Sequence, residues 1–210
     1  MTTATPSATS LRSAPRPGGR SAHVQAAVHQ ATRELVEQHG RAGVTVPAIA
    51  ARAGVTPSTI YRRWGELADL LADVAVARLR PEGEPGDTGS LAGDLHAWAE
   101  QYVDEMTSEI GVAMMHDVLA AKGGAAAGSG APLPAPCQCA DITSAQVAVI
   151  VARGVARGEA VPEVDAVMDT VVSPIVYRTL FGPAPATRAR VKALVNACLK
   201  GAKKRAAVAA

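Results

Sequence analysis

Apolar residues recur along this chain at intervals of three and four, and nowhere in the two-residue alternation of a half-buried strand. Val24, Val28, Ala31 and Leu35 make the first stripe, with Ser21 as candidate N-cap and Gly40 just past the end. A short second helix follows. Thr45 offers a capping oxygen, Pro47 sits in the first turn where its missing N–H costs nothing, and Val46, Ile49, Ala50 and Ala53 keep helical spacing. Gly54 supplies the positive φ that ends it, and Thr56-Pro57 repeats the cap-and-proline start for a third helix through Tyr61 to Trp64. Residues 66–80 read as a fourth helix on Leu67, Leu70, Leu71, Val74 and Leu79, followed by a Gly/Pro/Asp connector. Leu91, Leu95, Trp98, Tyr102, Met106 and Ile110 suggest a fifth, and residues 112–121 a sixth. Residues 122–136 are a low-complexity Gly/Ala/Pro loop, and helices return at about 140–157, 162–181 and 187–204. The expected class is all-α.

Composition divides this pattern into parts. Residues 1–20 are mostly Ser, Thr, Pro, Gly and Arg with little to bury, so they are expected to form a flexible basic arm. Residues 21–66 then form one small domain and residues 67–210 a larger one. The total charge of +2 hides an asymmetry: the first 65 residues carry eight arginines against Glu34 and Glu37, a net +6 that leaves −4 for the rest. A basic front on an acidic body points to a polyanionic partner, although a merely solvated basic face has the same charge. The longest apolar stretch, residues 145–152, is interrupted by Gln146, so no membrane-spanning helix is expected. The first twenty residues lack the apolar core of an export signal, and three cysteines make no paired disulfide framework. A cytoplasmic protein is expected.

The turn between the second and third helices carries the chemistry. Ala50 is small where a following helix must approach, Gly54 sits in the turn, and Val55 and Ile60 are apolar where the pair buries a shared seam. The third helix then displays Ser58, Thr59, Tyr61, Arg62 and Arg63, all able to bond phosphate oxygens or base edges. The segment TVPAIAARAGVTPSTIYRRWGELADLL resembles the DNA-binding domain of the TetR (tetracycline-repressor) family, over about residues 22–71. The resemblance implies a helix-turn-helix with Thr45 and Pro47 near the DNA backbone and Thr56 and Tyr61 on phosphates. Ser58, Thr59, Arg62 and Arg63 would face the major groove. An arginine fork matches guanine O6 and N7, while a phosphate contact remains the competing role for each arginine. Two positions depart from the family pattern: Leu67 replaces a lysine, and Pro47 stands where some members have arginine. Phosphate anchoring then shifts to Arg62, Arg63 or the arm, where Arg12, Arg16 and Arg20 either enter a minor groove or stay solvated.

Farther on, RGVARGEAVPEVDAVMDTVVSPIVYRTLFG resembles the sensor domain of a TetR subgroup with an Arg-Gly-Glu turn before the last two long helices. In that subgroup these helices pair with their copies as a four-helix bundle, which implies a homodimer through Val172, Val176, Val191, Leu194, Val195 and Cys198. Without the resemblance, the same stripes are simply core. The other helices would enclose an effector pocket: Trp98, Tyr102, Met106 and Met114, then Met115, Val118, Ile150 and Met168, supply large adaptable apolar surface. Each of these taken singly reads first as a core packing residue. The implied partners are a double-stranded, pseudo-palindromic operator, a second copy of the chain and a small, mainly apolar effector, with no cofactor, metal or catalytic residue. Asp94, Asp104 or Glu105 would select a cationic head group if one pointed inward. His96 and His116 read as helix-surface residues. Two alternatives stay open. One is a redox or metal sensor using Cys137 and Cys139, although a lone C-x-C lacks a tetrahedral ligand set. The more remote one is a helical-bundle enzyme, for which no phosphate loop, H-E-x-x-H or G-x-S-x-G is present.

Overall fold

The computed structural model describes residues 19–80, 83–121 and 134–209. Arg12, Arg16, the side chain of Arg20 and the heart of the low-complexity loop lie outside the described residues. The chain separates into two compact units, Met1–Ile60 and Tyr61–Ala210, so the division falls inside the third helix. Among the described residues there is no strand.

In the first unit α1 (Gly19–His39) is already helical at Gly19, two residues ahead of the expected cap. A single tight turn, Arg41–Gly43, leads to α2 (Val46–Ala53), and α3 (Pro57–Trp64) follows. Thr45 caps α2 as its spacing predicts, its Oγ1 accepting from Ala48 N at 3.4 Å. Gly54 ends α2 at φ 67°, ψ 31°, and Val55 N reaches back to Ala50 O at 3.0 Å, closing the loose carbonyls before α3 begins. Val28, Ala31 and Leu35 of α1 are buried, as are Val44, Val46, Ile49, Ala50 and Ile60. At roughly 1.5–3 kcal/mol for each large side chain removed from water, this small core needs nearly all its members. Polar ties add to it: Arg52 bridges from α2 to Glu34 at 3.2 Å and to Gln38 at 2.9 Å on α1.

The second unit contains α4 (Leu67–Leu79), α5 (Leu91–Thr107), α6 (Glu109–Ala120) and α7 (Ala135–Ala156). After it, α8 (Val164–Val167) runs through a π-helical turn (Met168–Val172) into α9 (Ser173–Phe181), and α10 (Arg188–Ala209) closes the chain. Serine hydroxyls start two of these helices: Ser90 Oγ accepts from Gly93 N at 3.1 Å and Ser108 Oγ from Gly111 N at 2.9 Å. α5 is the central helix, with Leu95, Ala99 and Val103 buried against a core that includes Val147 and Ile150 of α7 and Val191 and Val195 of α10. The Arg-Gly-Glu turn fastens this bundle. Arg157 binds Asp94 at 3.1 Å and Asp87 at 2.5 Å, while Glu159 accepts from Leu91 N at 2.9 Å.

Four sequence expectations need correction. The loop ends earlier than its composition suggests, because Pro136 lies in the first turn of α7, where a proline starts a helix. Cys137 and Cys139 are therefore helical. Ser108 breaks the fifth helix, so Ile110 belongs to the first turn of α6. The run 162–181 is not uniformly α-helical, since the π turn widens it. Finally, α7 is long and apolar enough to cross a membrane by length and composition, contrary to the reading from uninterrupted apolar runs. Alanine and valine raise its average. One stripe of it, Thr143, Val147, Ile150 and Gly154, is buried against the rest of the unit.

Candidate functional site

The α3 helix presents two faces. Ile60 is buried, whereas Ser58, Tyr61 and Arg62, spaced three and four apart, share an exposed face. At the helix start Thr56 Oγ1 lies 2.9 Å from Ser58 Oγ and 3.0 Å from Thr59 Oγ1, gathering three hydroxyls where Thr59 N also donates to Thr56 O at 3.0 Å. Such a turn suits a phosphate. The two arginines differ. Arg63 places its guanidinium 5.2 Å from the centre of the Trp64 ring, while Arg62 projects from the exposed face. Trp64 Nε1 donates to Asp73 Oδ2 at 2.8 Å, which joins the end of α3 to the middle of α4. Thr45 and Pro47 are exposed at the start of α2, although the Thr45 hydroxyl is engaged as a cap.

The larger unit holds a cavity of about 480 Å³. Tyr102 and Met106 of α5 line it together with Met114, Met115 and Val118 of α6. Cys139 and Thr143 of α7 form another wall, and Leu79 of α4 reaches in. The opposite side is built by Met168, Val172, Ser173 and Val176, with the exposed Tyr177 and Phe181 beyond them. The π turn thus forms part of the wall, and Ser173 Oγ donates back to Met168 O at 2.9 Å across it. Among the described residues no Lys, Arg, His, Asp or Glu lines this space. Burial, reinforced by Cys139 and Glu105 and opposed by a hydrogen bond with Thr143, pushes the Tyr102 phenol up to about 12. Burial likewise pushes the Cys139 thiol up to about 11, so both wall groups are neutral at physiological pH.

Six of the eight expected pocket residues line the cavity: Tyr102, Met106, Met114, Met115, Val118 and Met168. Trp98 and Ile150 do not. Ile150 is core, and Trp98 is buried with its ring stacked 5.3 Å from Tyr102 and its Nε1 bonded to Gln146 at 2.9 Å. The interface expectation changes more. Val191, Val195 and Cys198 are buried within their own subunit, Leu194 packs beside them, and Val172 and Val176 line the cavity. The buried members of this stripe pack within their own chain, while Leu194 and Val176 are only partly buried. Sequence reasoning missed Thr143, Ser173 and Leu79, whose role depends on which helices meet.

Cys137 and Cys139, two apart on a helix, point to different sides, and the raised Cys139 thiol is a poor nucleophile. Among the described residues no group of three His, Cys, Asp or Glu stands where it would hold a metal ion. His96 Nε2 lies 3.1 Å from Asn196 Oδ1, and His116 is exposed.

Two family descriptions match the chain: "Bacterial regulatory proteins, tetR family" over residues 29–74 and "Tetracyclin repressor-like, C-terminal domain" over residues 85–198. The chain belongs to the TetR family. It carries that family's helix-turn-helix domain and its helical C-terminal domain. An uncharacterized HTH-type transcriptional regulator of Mycobacterium tuberculosis is 38% identical over 64 residues, covering 30% of this chain and 32% of that protein. The regulator AqdR of Rhodococcus erythropolis is 31% identical over 96 residues, 46% of each chain. The match thus spans less than half the length of these curated relatives. Among solved structures, the TetR family regulator SCO0332 matches with a TM-score of 0.61 at 23% identity, over 85% of this chain and 98% of that one. Thermus thermophilus FadR, a TetR family repressor in complex with lauroyl-CoA, matches at TM-score 0.59 and 15% identity, over 84% of this chain and 94% of that one. Similarity at these identities establishes the fold.

Proposed function

We propose that this TetR-family regulator is a homodimeric repressor, acting in the bacterial cytoplasm, that leaves a pseudo-palindromic operator when a small, mainly apolar effector fills the 480 Å³ cavity. The observation that carries this reading is Leu79. It lines the cavity from α4, and the same helix holds the end of α3 through Asp73 and Trp64. An effector that binds one arrangement of α4 better than another shifts the population toward it, by no more than the difference in its affinity for the two. Displacing α4 then drags the α3 face bearing Tyr61 and Arg62, and two recognition helices held at the wrong separation no longer fit successive major grooves.

Two-fold symmetry in the protein accounts for the pseudo-palindrome. Copies would meet through the exposed side of α9 and α10, where Tyr177 and Phe181 are 65% and 70% exposed and Ala189, Ala193 and Ala197 follow at four-residue spacing. The test begins with a footprint on the intergenic DNA beside the protein's own gene, repeated across a salt series. A protected pseudo-palindrome, lost steeply with salt, is expected. Compounds are then scored for operator release. No protection on any neighbouring DNA, or release only by oxidant with both Cys137 and Cys139 required, sinks the proposal.

A further inference from the structure

The large cavity has a polar annex. Beside Tyr102 and Thr143 lies a cleft of about 40 Å³ that shares these two residues and Leu79 with the main cavity and adds Trp98, Gln101, Glu105 and Gln146. Three carboxylates qualify from sequence as head-group selectors, and the structure separates them. Asp94 is buried in its bonds to Thr88 and Arg157, and Asp104 is paired with Arg188. Glu105 lines the cleft, and among the described residues no Lys, Arg or His forms an ion pair with it. The Gln146 side-chain oxygen already accepts from Trp98, and the Thr143 hydroxyl donates to Cys139 O at 2.9 Å. The strongest acceptor left at this end of the site is therefore the Glu105 carboxylate.

We infer that the effector is an apolar molecule carrying a hydrogen-bond-donating, preferably cationic, head group, with its body in the main cavity and its head beside Tyr102 on Glu105. This inference rests on the cavity being the effector site. An ammonium gains a charge-assisted bond there, an alcohol a weaker one. A carboxylate or phosphate meets like charge at Glu105 and finds no lysine or arginine among the described residues lining either space. Because the cleft is open to water, screening limits the advantage of the cation to about tenfold in Kd.

The test uses the full chain and three probes with the same alkyl body: decylamine, 1-decanol and decanoate, titrated calorimetrically at neutral pH. Decylamine should bind about tenfold more tightly than decanol, with decanoate weakest. Glu105→Gln should bring decylamine to the level of decanol, and Glu105→Lys should reverse the order of amine and carboxylate. Both changes are at a half-buried position that forms no ion pair among the described residues, and circular dichroism of each variant checks that it folds. An amine preference that survives in Glu105→Gln, or decanoate binding as well as decylamine to the native chain, overturns the head-group assignment and leaves the cavity standing. The cavity itself is tested separately. Brominated decanol should quench emission from Trp98, stacked on Tyr102, and Val176→Trp should weaken all three probes together. Binding without quenching and without loss in Val176→Trp places the site elsewhere and removes the basis of both readings.

Discussion

Asp94 is a fully buried carboxylate that nonetheless stays ionised. Burial alone pushes its pKa up, but Thr88 N and Oγ1, each at 2.6 Å, and the Arg157 guanidinium outweigh that cost and hold it below 3.8. A folded-state pKa below the unfolded one gives stability that is present above about pH 4 and lost as pH falls through the depressed value. Asp94→Asn should therefore cost about 2–3 kcal/mol at neutral pH, less than a fully enclosed pair because Arg157 keeps Asp87 and Glu159. The variant should also lose less stability on acidification than the native chain. Urea midpoints at neutral pH and below pH 4 check both; parallel losses would remove Asp94 from the acid response. On α3, Arg62→Ala should relax preference at one base position per half-site by about 1–3 kcal/mol, whereas Tyr61→Phe should weaken all sequences alike. Binding to a panel of single-base operator variants separates the two, and a uniform loss for Arg62→Ala would make it a phosphate contact. Residue type and spacing alone made Arg62 and Arg63 equivalent candidates. What distinguishes them is the Trp64 ring under Arg63, and likewise Arg52 counts toward the basic front while being spent on Glu34 and Gln38.

The junction of α5 and α6 shows a constraint that no periodicity reveals. A Cβ at Gly111 would fall 2.0 Å from Glu105 O, a backbone atom that has no rotamer to escape into. Gly111→Ala should thus cost about 1–3 kcal/mol through overpacking and should loosen cavity ligands, since α6 supplies Met114, Met115 and Val118 to the wall. Thermal unfolding and probe titration on the same preparation check this, and an unchanged melting temperature would mean the junction yields freely. The helices themselves were legible, because caps and apolar spacing are local. α2 is the clearest instance, with Thr45, Pro47 and Gly54 marking both ends. The start of α7 was not, since a proline next to a Gly/Ala-rich stretch reads equally as loop or as first turn, and its neighbours decide. The π turn was also hidden. Thr170 and Ser173 sustain it with hydroxyl bonds to carbonyls four and five residues back, and such bonds are indistinguishable in sequence from ordinary exposed polar positions.

For the whole molecule, the question is which surface remains for a second copy once each helix has covered its own core. The apolar stripe of α10 is used internally: Val191 and Val195 are each 1% exposed, and the Cys198 thiol lies against Ala166 O. Periodicity identifies such a stripe but carries no information on which partner buries it. The other side of α10 offers Ala189, Ala193 and Ala197, small enough for another helix to come close, beside basic residues that remain hydrated. If this is the dimer seam, the two sides of α10 should respond differently to the same charge. Val191→Glu with Val195→Glu buries two carboxylates without partners inside one subunit and should prevent folding altogether. Ala193→Glu with Ala197→Glu places them at exposed positions, where each subunit keeps its helices. It should sediment as a folded monomer with operator affinity reduced to that of a single half-site. Sedimentation velocity and circular dichroism on both double variants read the contrast. A folded dimer from the second variant would move the seam off α10, leaving the exposed Tyr177 and Phe181 face of α9 as the surface to mutate next.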